Sequence, residues 1–150
     1  MTGDSLIEEL RAAREELLAA LGAVRSESMT TPGLVGEWSG RELIAHLGYW
    51  AGHAAEVIHA VEEGRADEVG AGEPQADEVN ETVARVARQT DLEVVRRREA
   101  ASIDALSERL AAVDLSLLAV RLPDGATLAD GIREDGSDHY REHADACAAC

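Results

Sequence analysis

Leu6, Leu10, Ala13, Leu17, Leu21 and Val24 return at three- and four-residue steps, with Glu8, Glu9, Glu15 and Glu16 between them. That spacing gathers the apolar residues on one stripe of a helix and leaves the acids on its wet side. The rest of the chain is held to the same choice. Its apolar share is 45%, yet aromatic residues make up 3% and Phe is absent. A core built from Leu, Val and Ala suits close-packed helices better than a sheet sandwich. No strand pattern and no internal repeat stands out.

The first helix is expected over roughly residues 5–24, followed by a loop over 25–37 punctuated by Thr31-Pro32-Gly33. Ser39 and Glu42 form an S-x-x-E capping box that opens a second helix, running through His46, Trp50, Ala54, Val57 and Val61 and stopping near Gly64. Residues 64–76 are rich in Gly, Glu, Asp and Pro and read as a surface crossover; 77–88 read as a short helix. Thr90-Asp91-Leu92-Glu93 is a second capping box, predicting a third main helix from Asp91 to near Val113. After a connection over 114–126, with a turn at Pro123-Asp124-Gly125, Thr127 and Asp130 open a fourth helix containing Gly131, Gly136, His139 and His143. The expected fold is all-α: a four-helix bundle with a short extra helix in the long connection between helices 2 and 3, as a single domain over residues 1–150.

Thirty acids against 14 bases give a net charge of −16. A phosphate backbone or an anionic membrane surface would be repelled, so neither nucleic acid nor membrane is expected as a partner. No apolar run approaches the roughly 20 residues of a spanning helix, and the first residues show no basic and apolar leader. A cytoplasmic location is the expectation. Cys147 and Cys150 spell C-x-x-C, but the motif follows no strand and opens no helix, so it reads as an incidental tail.

The chemistry rests on histidines. His139 and His143 are four apart and share a helix face, so they can grip one ion. If the second helix brings His46 alongside, three nitrogen ligands surround an open position, as in a catalytic or ligand-binding metal centre. His46 lies seven residues past its cap and His139 twelve past Thr127, so the two helices must be offset by about a turn. Imidazole suits zinc, nickel, copper and iron alike. His53, seven after His46, either supports the site or lines its pocket, or is a bundle-facing histidine with a local hydrogen-bond partner; the last is the simpler reading. Trp38 and Trp50 are core or pocket wall, His59 is surface, and Tyr140 is packing. Arg96-Arg97-Arg98 is expected to pair with neighbouring surface acids, with binding of an anionic thiol as the alternative.

The segment from Glu37 to Trp50, with Trp38, the capping Ser39, Ile44, His46, Leu47 and Trp50, resembles the second-helix signature of the DinB-like superfamily. His139-x-x-x-His143 resembles its fourth-helix motif, and Asn80 with the 90–93 segment its third-helix region. The resemblance spans roughly residues 5–147. It implies a metal-binding four-helix bundle, often a homodimer, with zinc or nickel held by His46, His139 and His143. Related activities are thiol-dependent S-transfer and isomerisation with bacillithiol, mycothiol or glutathione. The mycothiol-dependent maleylpyruvate isomerases of this group carry Glu where this chain has His139. The composition, with no Lys, suggests a high-GC genome, where mycothiol is the plausible thiol. The resulting expectation is a metal-dependent low-molecular-weight-thiol S-transferase acting on a small electrophile near Trp50. A non-catalytic metal-binding or stress-response bundle and a metal-dependent hydrolase are the alternatives.

Overall fold

The computed structural model describes residues 2–148. Its elements are α1 (Gly3–Ala23), α2 (Gly40–Glu62), α3 (Ala76–Arg88), α4 (Leu92–Ala112), α5 (Leu128–Asp135) and α6 (Ser137–Ala148), with short 3-10 turns in three connections. The architecture is all-α. The bundle consists of α1, α2, α4 and the α5–α6 pair. α2 packs mainly on α4, and α1 on α6. α3 is the extra helix on the long connection and lies against α2. The stripe Leu6, Leu10, Ala13, Leu17 and Leu21 of α1 is buried as its spacing requires. So are Leu43, Leu47, Ala54, Ile58 and Val61 of α2. Cys147 is buried in the same core, while Cys150 lies outside the described residues.

α2 ends in a Schellman motif. Arg65 N–H donates to the Ala60 carbonyl, Gly64 N–H donates to the Val61 carbonyl, and Gly64 takes φ +77°. Two expected capping boxes are not made. Ser39 does precede α2, but its hydroxyl donates to Glu42 Oε1 at 2.9 Å instead of accepting from the first turn. Glu42 is 1% exposed and also accepts from Arg88 of α3. A buried carboxylate needs these partners more than the helix end needs a cap. Thr90 donates to the Val86 carbonyl at 2.7 Å, closing α3, so α4 begins one residue later than expected, with Asp91 as its cap residue. The Thr127–Asp130 box is complete, with both reciprocal bonds present.

The expected continuous fourth helix is divided. It breaks at Gly136, where a Cβ would stand 2.8 Å from the Ile132 carbonyl oxygen and 3.3 Å from Leu10 Cδ1. The Ile132 carbonyl leaves no room for a side chain there, and Leu10 of α1 crowds the same place. The break bears on the offset, because His139 falls in the first turn of α6 instead of more than halfway along a single long helix.

A buried polar knot ties three helices together. Glu99 of α4 is 4% exposed. It accepts two bonds from Arg14 Nε, at 2.9 and 3.1 Å, and one from Nη2 at 2.7 Å. The Tyr140 hydroxyl of α6 donates to Glu99 Oε2 at 2.7 Å, and burial drives its pKa well above the usual phenol range. Gly48 lets α2 approach this part of α4, since a Cβ would lie 3.0 Å from Glu99 Cα. Glu99→Ala strands the Arg14 guanidinium and the Tyr140 hydroxyl together, and should cost about 3–5 kcal/mol in urea unfolding. Tyr140→Phe removes one charge-assisted bond and should cost about 1.5–3 kcal/mol.

Candidate metal centre

The three histidines singled out in the sequence meet. His46 comes from the second turn of α2 and is 6% exposed; His139 and His143 stack on one face of α6 and are half-buried. One ligand nitrogen from each lies within 4.8 Å of the others. His46 Nε2 and His139 Nε2 are 2.7 Å apart, sharing one hydrogen, with the ring tautomers deciding which donates. Ring centroids are separated by 4.6 Å (His46–His139), 5.2 Å (His46–His143) and 4.9 Å (His139–His143). One ion bonded to two imidazoles at about 2.0–2.1 Å holds their nitrogens roughly 3.3 Å apart. The observed separations bracket that value, so small side-chain rotations would fit one.

Burial is the chief cause of an unusual electrostatic state. It pushes the pKa of His46 down to about 3, with His139 and His143 adding repulsion and nearby Asn80 working against the shift. His139 is lowered by burial and then by His143, against Asp135 and Glu142; His143 is lowered by burial, against Glu142. All three are neutral at physiological pH and keep nitrogen lone pairs for an ion. Nδ1 of His46 and Nδ1 of His139 are buried without a well-formed hydrogen bond among the described residues. Such groups are costly to bury unless something else engages the ring.

The flanks are partly as expected. Trp38 leans on His46 with centroids 4.8 Å apart. Trp50 Nε1 donates to Asn80 Oδ1 at 2.8 Å, fixing α3 beside the cluster. Trp50 also meets His53 edge-on, at 5.1 Å. The His53 Nδ1 lies 2.8 Å from Asp135 Oδ2 of α5, while Nε2 is 3.5 Å from Glu73 Oε2. The Asp135 bond raises its pKa against burial, with Glu73 assisting. The Asp135 and Glu73 contacts join residues far apart in the chain and carry no local pattern, so sequence reasoning missed them. His59 is exposed and paired with Glu63, and Tyr140 is core, as expected. The arginine cluster is not: none of Arg96, Arg97 and Arg98 forms an ion pair among the described residues.

Residues 10–143 match the model of the mycothiol maleylpyruvate isomerase N-terminal domain family. The chain belongs to that family. Solved structures share the fold of this N-terminal-domain relative at low identity. An uncharacterised protein from Escherichia coli UTI89 superposes with TM-score 0.78 at 13% identity, covering 99% of this chain and 91% of its own. The mycothiol-dependent maleylpyruvate isomerase gives 0.73 at 16% identity; the match covers 98% of this chain but only 61% of the isomerase. The colibactin self-resistance protein ClbS gives 0.76 at 16% identity, covering 99% and 94%. A search of curated proteins returns no match.

ClbS was crystallised in complex with a double-stranded DNA. This corrects the exclusion of nucleic acid. Net charge is a sum over the whole surface, whereas duplex contact depends on one face, so a total of −16 does not exclude it for this fold. Among the described residues no helix is long and apolar enough to cross a bilayer.

The histidine shifts fix a pH dependence for metal-free protein. Unfolded histidines titrate near 6.5, whereas the folded cluster resists protonation, so the unfolded state binds more protons as pH falls below 6.5. Stability contributed by the neutral cluster is fully present above pH 6.5 and declines as pH falls toward the folded values. His53 has the opposite sign, its contribution being lost as pH rises through its raised pKa. Urea midpoints should therefore drop from pH 7.5 to pH 5.5, and the drop should shrink in His46→Gln.

Proposed function

We propose that this chain is a metal- and thiol-dependent enzyme, in which His46, His139 and His143 hold one divalent ion, zinc or nickel. A low-molecular-weight thiol, mycothiol being the first candidate, is the cosubstrate that attacks a small electrophile. The observation that carries this reading is the convergence of three neutral imidazoles from α2 and α6 in a domain of this family. Three protein ligands leave a position for an exogenous group. A bound ion of this kind would hold a thiol as its thiolate at neutral pH.

The chain's own residues supply the setting. Burial keeps the imidazoles unprotonated, so their nitrogens stay available as donors. Trp38 and the Trp50–Asn80 bond restrict the cluster's surroundings, which limits reorganisation when a ligand arrives. Trp50 offers an apolar wall to the electrophile. His53 borders that wall edge-on to Trp50, its ring held by Asp135. His139 gives this site an all-nitrogen ligand set, and S-transfer is the reaction class we assign to it.

Elemental analysis of purified protein should find about one zinc or nickel per chain, absent from the His139→Ala/His143→Ala double variant. His46→Ala should keep its helical circular dichroism while losing more than the roughly 10–100-fold in affinity that removal of a supporting partner costs. Turnover of a model electrophile should require metal and thiol together. Turnover without thiol would mark a hydrolase; metal retention with no turnover would mark a binding protein. Full metal occupancy in both histidine variants would sink the proposed ligand set.

A further inference from the structure

We propose that the cleft between α2, α3 and α4 binds a small organic anion with an apolar body, its charged end meeting Arg98. The cleft holds about 300 Å³, at the lower end of small-ligand pockets. Val83 and Val86 of α3, Val95 of α4 and Tyr49 of α2 line it. Gly48 keeps its floor low, because this helix face carries no side chain where α2 crosses Glu99. Tyr49 is 42% exposed and Val86 51%, two of the few large apolar side chains this chain leaves in water.

Arg98 borders that apolar space with no acid to answer it. Its helical neighbours at three and four residues are Val94, Val95, Ala101 and Ser102, none of them charged. It forms no ion pair among the described residues, whereas Arg14, Arg88, Arg109 and Arg133 each do. Glu99 also borders the cleft, but its carboxylate is taken by Arg14 of α1 and Tyr140 of α6. An unanswered cation beside an apolar cleft, in a chain of net charge −16, is the charge complement of an amphipathic anion. A neutral apolar ligand would leave it unused. The site is separate from the histidine cluster: Ala45 and Gly48 face the cleft, whereas His46 faces α6.

Two dyes with the same ring system test this: 8-anilinonaphthalene-1-sulfonate, an anion, and N-phenyl-1-naphthylamine, which lacks the sulfonate. Fluorescence titration of the full chain should show one saturable site, tighter for the sulfonate. Arg98→Ala should weaken the sulfonate about two- to fivefold and leave the neutral dye unchanged. Arg97→Ala, outside the cleft, should change neither, and Val83→Trp, which fills it, should weaken both. Arg98 is exposed, so its variant remains informative if Val83→Trp misfolds. Absence of saturable binding, or equal effects of Arg98→Ala on both dyes, would overturn the proposal. So would a dimer by sedimentation that binds dye only after Val86→Glu dissociates it, which would assign the cleft to a second copy.

Discussion

The Arg14–Glu99–Tyr140 knot is the interaction on which the rest of the arrangement depends. Helices with small apolar side chains and few aromatics have many nearly equivalent ways to pack, because sliding or rotating a smooth Leu and Ala stripe costs little. A buried carboxylate removes that freedom. Glu99 must have its partners within hydrogen-bonding distance, and those partners come from α1 and α6. Tyr140 stands between His139 and His143 and points the other way, so fixing its hydroxyl fixes the rotation of α6 and turns both histidines toward α2. Gly48 sets the distance of α2 from the same carboxylate's backbone. The position of the histidine cluster is thus decided on the far side of its own helix.

The two sides of α6 handle charge in opposite ways. Around Glu99, charges are buried and paired. Around His46, rings are buried and neutral; of the acids that act on them, Asp135 is occupied with His53, and Glu142 only partly offsets the burial of His139 and His143. A chain with so large an acidic excess keeps its carboxylates out of the imidazole cluster. That separation gives the cluster a donor set made only of nitrogen.

Much of this was legible in the sequence. The α1 stripe, the Gly64 stop, the Thr127–Asp130 box and the extra helix on the long connection all follow local rules of spacing and capping. The meeting of His46 with His139 and His143 was legible from spacing plus resemblance. What escaped was non-local. The break falls at Gly136, which Leu10 of α1 crowds from 126 positions away in the chain, and no local pattern announces that contact. Ser39 and Glu42 have the letters of a capping box, yet Arg88, 46 residues away, draws the Glu into the interior. The failed nucleic-acid exclusion has the same root, since a total charge says nothing about how one face is arranged. Glu99 was missed although a signal was there: it occupies the four-residue step between Val95 and Ile103 in the α4 stripe, where an acid points to a buried partner.

The His46–His139 contact joins positions 93 residues apart, and α6 begins only two residues before His139 because Gly136 has broken the helix ahead of it. An ion at the cluster would close a loop over more than half the chain and brace α6 against α2, on the side away from its packing on α1. Docking of α6 and occupancy of the centre would then favour one another. The free-ion concentration around the protein would shift how often α6 lifts from α2, making that helix a gauge of metal supply as well as part of the bundle.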